Sequence, residues 1–164
     1  MAILKIIKYG ENKILKEKTK PVEIFNSSLK EIVHNMIETM YYNKGIGLAA
    51  NQVGFNLNLF VFDITPEKNS SVILINSSII EKKGQTNSQE GCLSIPGMIL
   101  PVKRHSYLKI SGFDLKGKKI EIEAEGLLAI VLQHEMDHLK GKTIIDKQPF
   151  FKRIKIKHLL KKQS

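Results

Sequence analysis

Apolar residues recur every three or four positions in SLKEIVHNMIETMYYNKG, where Leu29, Ile32, Val33, Met36, Ile37 and Met40 fall on one helical stripe. Ser28 and Glu31 make a capping box at its start, and Gly45 supplies a stop. His34 lies one position past the stripe and reads as a surface residue. The period then shortens. NLFVFDI, residues 58–64, and SVILINSSII, residues 71–80, are rich in β-branched and aromatic residues and predict strands. Residues 107–113 and 120–125 have the same character and flank a Leu115-Lys116-Gly117-Lys118 turn, which predicts a hairpin. GIGLAANQVG, residues 45–54, suits neither period and reads as a shaped loop, and EKKGQTNSQEGCLSIPGMILP, residues 81–101, reads as irregular. Gly126 to Gly141 form a second helix, and Pro149 opens a third in QPFFKRIKIKHLLKKQS. Strands that cluster by hairpin rather than alternating with helices give an α+β class: short, mostly antiparallel strands around a buried central helix, with one helix in the N-terminal half and one at the C-terminus.

At 164 residues, 42% hydrophobic and 26% charged, the chain has the size and composition of one soluble domain spanning 1–164. No apolar run approaches the roughly 20 residues that cross a bilayer, and MAILKIIKYGENK lacks a signal-peptide core, so the expectation is a cytoplasmic protein with no membrane partner. The net charge of +10 is concentrated at one end. Residues 140–164 hold nine of the 26 Lys/Arg and one of the 16 acidic residues, so the body is nearly neutral and the tail, with its helix at about 147–164, is basic. Helical spacing turns Phe150, Phe151, Ile154, Leu159 and Leu160 toward the body and leaves Lys152, Arg153, Lys155, Lys157, Lys161 and Lys162 in solvent. A single cysteine, Cys92, excludes an intrachain disulfide framework.

The central helix carries the chemistry. GLLAIVLQHEMDHLKG starts as the most apolar run in the chain and then spends five of the six positions 133–138 on polar or ionisable groups, whose burial without partners costs several kcal/mol. His134 and His138 stand four apart and point at one ion, while Glu135, offset by about 100°, reaches a water on that ion without ligating it. Leu127, Ile130 and Val131 upstream read as core, so the histidines continue a buried stripe. This H-E-x-x-H arrangement predicts a metallohydrolase. An open catalytic site wants a third protein ligand, and Asp63, Asp114, Glu90 and Cys92 are the candidates.

GIGLAANQVG, QEGCLS and QHEMDHLKG, in this order and at these separations, resemble the three signature motifs of the peptide deformylases. Pro21-Val22, Val102-Lys103-Arg104 and the LLAIVLQHE run extend the likeness from about Ile6 to Asp146. The resemblance implies hydrolytic removal of the formyl group from the N-formylmethionine of new bacterial polypeptides. It makes Cys92, His134 and His138 the ligands of one divalent ion, ferrous iron or alternatively zinc or nickel. Glu135 becomes the general base and then the acid, while Gln52 and the backbone N–H of Leu93 become oxyanion donors. Ile46 and Gly47 would offer a strand edge to the peptide, and Ile46, Leu127, Ile130 and Val131 a pocket for the methionine side chain. Glu90 and Gly91 join the substrate-facing set, with Glu90 hydrogen-bonding a ligand histidine and Arg104 pairing with Glu90. Two positions depart from the usual pattern: Ile99, where an arginine or another polar or aromatic residue is common, and Asn51, where proline is common. The basic tail suggests contact with ribosomal RNA, since such an enzyme meets its substrates at the ribosome. Two other functions compete: a zinc endopeptidase built on the same helix, and a basic RNA-binding module with a closed four-ligand structural metal.

Overall fold

The computed structural model describes residues 2–161. Helix α1, Ser27–Tyr42, is capped by Asn26, whose side chain accepts from Leu29 N at 3.0 Å, so the helix opens ahead of the expected Ser28–Glu31 box. Leu29, Val33, Met36 and Met40 form its buried stripe, and His34 is exposed as expected. The helix ends in a Schellman motif: Lys44 N donates to Tyr41 O and Gly45 N to Met40 O, each at 2.9 Å. Lys44 rather than Gly45 takes the left-handed conformation, with φ 56°.

Strand β1, Gly47–Ala49, comes from the expected loop and is followed by a 3₁₀ turn at Ala50–Val53. Strands β2, Leu59–Phe62, and β3, Val72–Lys83, then pair with β6, Tyr107–Phe113, and β7, Lys119–Glu125, in an antiparallel sheet of order β1-β2-β3-β6-β7. All four residues of β2 are buried because both faces of the sheet are covered. Leu59 and Val61 join Val33, Met36 and Met40 of α1 in one core cluster. Phe60 and Phe62 join Ala129, Leu132, Met136 and Leu139 of the central helix α2, Gly126–Leu139, in the other.

Residues 81–101 correct the sequence reading. They contain β4, Thr86–Cys92, and most of β5, Ile95–Arg104, which pair as a separate two-stranded sheet. Burial alternates along both strands, but several inward positions are polar: Ser88, Glu90 and Arg104. Hydrophobic alternation therefore never appears. The hairpin's apolar residues Ile95, Leu100 and Val102 cluster with Ile144, Ile145 and Ile156. Glu90 pairs with Leu100 and Cys92 with Ile95, so Pro96 to Ile99 on β5 face Gly91 alone on β4 and bulge outward.

Helix α2 stops in a second Schellman motif, with Gly141 at φ 68°. A side chain there would also collide with the backbone, since a Cβ would stand 2.6 Å from Lys16 C. Helix α3, Phe150–Lys161, docks less of its apolar surface than its spacing promises. Only Ile156, with Leu160 beside it, packs on the hairpin cluster, while Phe150, Phe151, Ile154 and Leu159 are more than half exposed. The apolar residues are spread around the helix, so a single i, i+4 pair meets the body. The side chain of Lys161, and Lys162 altogether, lie outside the described residues.

Asp63, a candidate ligand in the sequence, is instead a structural clasp at the exit of β2. Its carboxylate accepts from Thr65 N at 2.8 Å, Thr65 Oγ1 at 2.6 Å, Ser70 N at 2.9 Å and Tyr41 Oη at 2.6 Å. Burial alone would raise its pKa, yet these donors hold it down at about 2, against 3.8 for the free carboxyl. A depressed carboxyl stabilises the fold fully above its unfolded value and loses that contribution as pH falls through the folded one. Asp63→Asn is therefore expected to cost about 1–3 kcal/mol at pH 7. The gap to wild type should close between about pH 4 and pH 2 in urea melts followed by circular dichroism.

Candidate metal centre

Three ligand-bearing residues from two elements converge at the base of a cleft of about 880 Å³. Cys92 stands at the end of β4, just past Gly91, which lies opposite the bulge of β5. His134 and His138 project from one face of α2. Cys92 Sγ lies 3.3 Å from His138 Nε2, and the two Nε2 atoms are 3.3 Å apart. An ion bonded at about 2.0–2.1 Å to nitrogen and about 2.3 Å to sulfur in a tetrahedral site sets its ligands roughly 3.3–3.6 Å apart. The triad fits a divalent metal. Cys92, His134 and His138 are also the one cluster among the described residues with the spacing of a metal site, and three protein ligands leave a coordination position open. Of the other candidates, Asp114 accepts from Lys116 N and Lys118 N in the β6–β7 turn, and Glu90 binds the histidine rather than the ion.

Each polar group of the 133–138 segment has a distinct environment. Gln133 clips the β5–β6 connection, taking His105 N at 2.9 Å and donating to His105 O at 2.9 Å and Ala129 O at 2.8 Å. His134 Nδ1 sits 2.9 Å from Glu90 Oε2, and Glu90 is held by Arg104 Nε and Nη2 at 2.7 Å each and by Ser88 Oγ at 2.6 Å. Burial opposes the charge on Glu90, but these donors overcome it and hold its pKa at about 2. Burial likewise opposes a proton on His134, but Cys92 and Glu90 outweigh it and raise the pKa, whereas burial dominates at His138 and lowers it. Glu135 is 3% exposed, and burial lifts its carboxyl to about 7. Its Oε2 and His138 Nδ1 are buried atoms without a hydrogen-bond partner among the described residues.

Glycine makes room for Glu135. A Cβ on Gly47 would lie 2.8 Å from Glu135 Cδ, so the carboxylate rests on the bare backbone of β1. That strand is an edge of the sheet. Gly47 is opposite Phe62, while Asp63 N bonds Ile46 O at 3.0 Å, which turns the N–H and C=O of Gly47 away from β2. Ile46 thus spends its carbonyl in the ladder and gives the cleft its side chain, 38% exposed, while Gly47 presents its N–H and C=O outward.

Leu127, Ile130 and Val131 also line the cleft, as do Gly91, Leu93 and Ile99. Leu127 is 51% exposed, so that position is a cleft wall rather than core, whereas Val131, 4% exposed, lines the cleft and also belongs to the core face with Ala129, Leu132, Met136 and Leu139. Ile99, 71% exposed, stands on the bulge that forms the cleft's lip. Gln52 is locked by Ala49 N, which donates to its Oε1 at 2.9 Å, and its Nε2 points to Cys92 Sγ at 3.6 Å and Ser94 Oγ at 3.2 Å.

Two supporting residues lie outside the candidate site residues read from the sequence. Ser94, fully buried, orients Gln52 and was visible only as the last letter of QEGCLS. Asn51, also fully buried, donates to His138 O at 2.6 Å and so pins the end of α2 that carries a ligand. Partners of metal-binding imidazoles tune affinity, so Glu90→Gln should weaken metal binding by about 10- to 100-fold in competition with a chromogenic chelator.

The family model for polypeptide deformylase matches residues 3–154. A peptide deformylase of Chromobacterium violaceum is 44% identical over 164 residues, covering all of this chain and 98% of that one. One from Thermodesulfovibrio yellowstonii is 50% identical over 149 residues, 90% of each chain. The crystal structure of a peptide deformylase from Legionella pneumophila superposes with a TM-score of 0.93 at 40% identity, covering 98% of this chain and 95% of that one. That of the Ehrlichia chaffeensis protein in complex with actinonin gives 0.94 at 32% identity, covering 100% and 99%. Motifs, site geometry and these relatives agree, and the chain belongs to the polypeptide deformylase family.

Proposed function

We propose that residues 1–164 act as one catalytic unit that hydrolyses the formyl group from N-formylmethionyl peptides, releasing formate. The observation that carries this reading is the juxtaposition, in one cleft, of an open Cys92–His134–His138 triad, the buried carboxyl of Glu135 and the free edge of β1. When bound by the triad, a divalent metal supplies Lewis acidity that brings a water's pKa near 7 and polarises the formyl carbonyl. Ferrous iron in the cell is our assignment, with zinc and nickel as alternatives; one thiolate and two imidazoles suit all three.

Every other step belongs to the chain. The peptide pairs as an added strand with the N–H and C=O of Gly47, and its methionine side chain enters between Ile46, Leu127, Ile130 and Val131. Glu90 and Gly91 lie along the same cleft. Glu135 takes a proton from the attacking water, and the water's oxygen bonds to the formyl carbon. Charge that develops on the formyl oxygen is met by Gln52 Nε2 and the N–H of Leu93, donors of a kind worth a few kcal/mol each. Glu135 then gives its proton to the amine as the C–N bond breaks. A carboxyl poised near neutral pH suits both halves of that exchange.

Among the described residues no helix is long and apolar enough to cross a membrane. We assign the protein to the cytoplasm, where nascent chains are made. Lys152, Lys155 and Lys157 stand exposed on α3, and with Arg153 they form a basic face suited to ribosomal RNA phosphates.

Protein purified anaerobically with Fe²⁺, Zn²⁺ or Ni²⁺ is expected to release formate from formyl-Met-Ala-Ser. Glu135→Gln should keep its metal and lose about 10³-fold or more in kcat; absence of formate with every metal would overturn the assignment. For the tail, replacing Lys152, Arg153, Lys155 and Lys157 with Glu should weaken ribosome cosedimentation at low salt by roughly tenfold or more. Unchanged affinity would rule that surface out.

A further inference from the structure

Asp137 is the ionisable residue of the HEMDH segment to which the proposed chemistry gives no task. It is nevertheless the centre of a charge cluster. Its Oδ2 accepts from Arg104 Nη1 at 2.5 Å and from Lys147 Nζ at 2.9 Å. Arg104, 4% exposed, sends its remaining donors to both oxygens of Glu90, and Glu90 Oε2 contacts His134 Nδ1. Two carboxylates and two cations balance, which a buried site requires.

The connections close on themselves. Asp137 and His134 are three residues apart on α2 and so lie one above the other on its surface. From His134 the path runs to Glu90 on β4, to Arg104 at the end of β5, to Asp137, and back through one turn of helix. A planar guanidinium held at both ends by carboxylates has no rotational freedom left, so the Glu90 carboxylate that meets His134 is fixed in two directions. Without Asp137, Arg104 Nη1 would be a buried donor with a missing anion, and the guanidinium would be free to tilt Glu90 away from the imidazole.

Lys147 extends the ring to the chain segment between α2 and α3. Its neighbours are anchored on both sides: Asp146 by Lys16 Nζ and Thr143 N at 2.8 Å each, Gln148 by donation to Pro101 O at 2.8 Å. The backbone of Lys147 is therefore held where its ammonium reaches Asp137, three residues before the basic helix begins.

We infer that Asp137 and Lys147 are positioning residues that hold metal ligand His134 through Arg104 and Glu90, linking the root of the C-terminal helix to the metal centre. This rests on Cys92, His134 and His138 being the ligands, and the test uses the metal directly. Full-length protein is loaded with Co²⁺, its visible spectrum recorded, and release of the ion into excess chelator followed. Asp137→Asn is expected to speed release by about 3- to 10-fold and shift the cobalt bands, and Lys147→Met to speed it by about 2- to 3-fold, with Lys147→Arg restoring the wild-type rate. A purely structural role would lower the urea midpoint of the metal-free protein and leave spectrum and release rate unchanged; that result overturns the inference. Should Asp137→Asn not fold, Lys147→Met and Lys147→Arg decide it, since Lys147 is exposed, and equal release from both overturns the inference as well. Failure of the wild-type chain to bind Co²⁺ would overturn the metal site itself, a result distinct from the other two.

Discussion

The rest of the site depends on one contact: the end of β4 meets the C-terminal turn of α2, bringing Cys92 Sγ within 3.3 Å of His138 Nε2. Neither element supplies a complete site. Helix geometry places His134 and His138 side by side, but two imidazoles are too few ligands for an open tetrahedral centre. The thiol arrives from 42 residues before the first histidine, on a hairpin that pairs with no other strand. Glu90 on His134 and Arg104 on Asp137 lock that hairpin to α2, and the Glu90–Arg104 pair joins the two contacts.

This arrangement explains why a helix in the heart of the molecule tolerates so many polar side chains. Its core face is apolar and packs against Phe60, Phe62 and Leu74. Away from that face the polar groups find partners from elsewhere in the chain: His105 backbone for Gln133, Glu90 for His134, Arg104 and Lys147 for Asp137. Glu135 is the exception. It lies against Gly47 with one oxygen unpartnered, and its carboxyl is raised to about 7 by burial, the condition of a group kept for proton transfer rather than for stability.

The same logic runs through the first motif. Gly47 does two things at once: its missing side chain leaves space for Glu135, and its backbone faces outward from the sheet edge. Gln52, one turn later, is aimed by Ala49 N and Ser94 Oγ. Loop, strand edge and 3₁₀ turn thus form one wall of a cleft whose opposite wall is α2.

The His134–His138 pair, Glu135 beside it and the central helix were legible in the sequence because each depends on local spacing, which helix geometry converts directly into shared faces. The strands at 59–62, 107–113 and 119–125 were legible from their local richness in β-branched and aromatic residues. The hairpin at 86–104 was not: its buried positions include Ser88, Glu90 and Arg104, and a polar residue gives no hydrophobic signal until its partner is known. Nor could spacing say that Leu127 and Ile130 line a cleft while Leu132 is core, or that α3 docks by Ile156 and leaves Phe151 in solvent. The amino-acid order by itself determined which side chains could do chemistry. Only the tertiary structure decided which of them meet, because Glu90, Cys92 and Arg104 on the hairpin stand at least 33 residues before the α2 residues they contact, and those contacts are set by how the hairpin packs on α2.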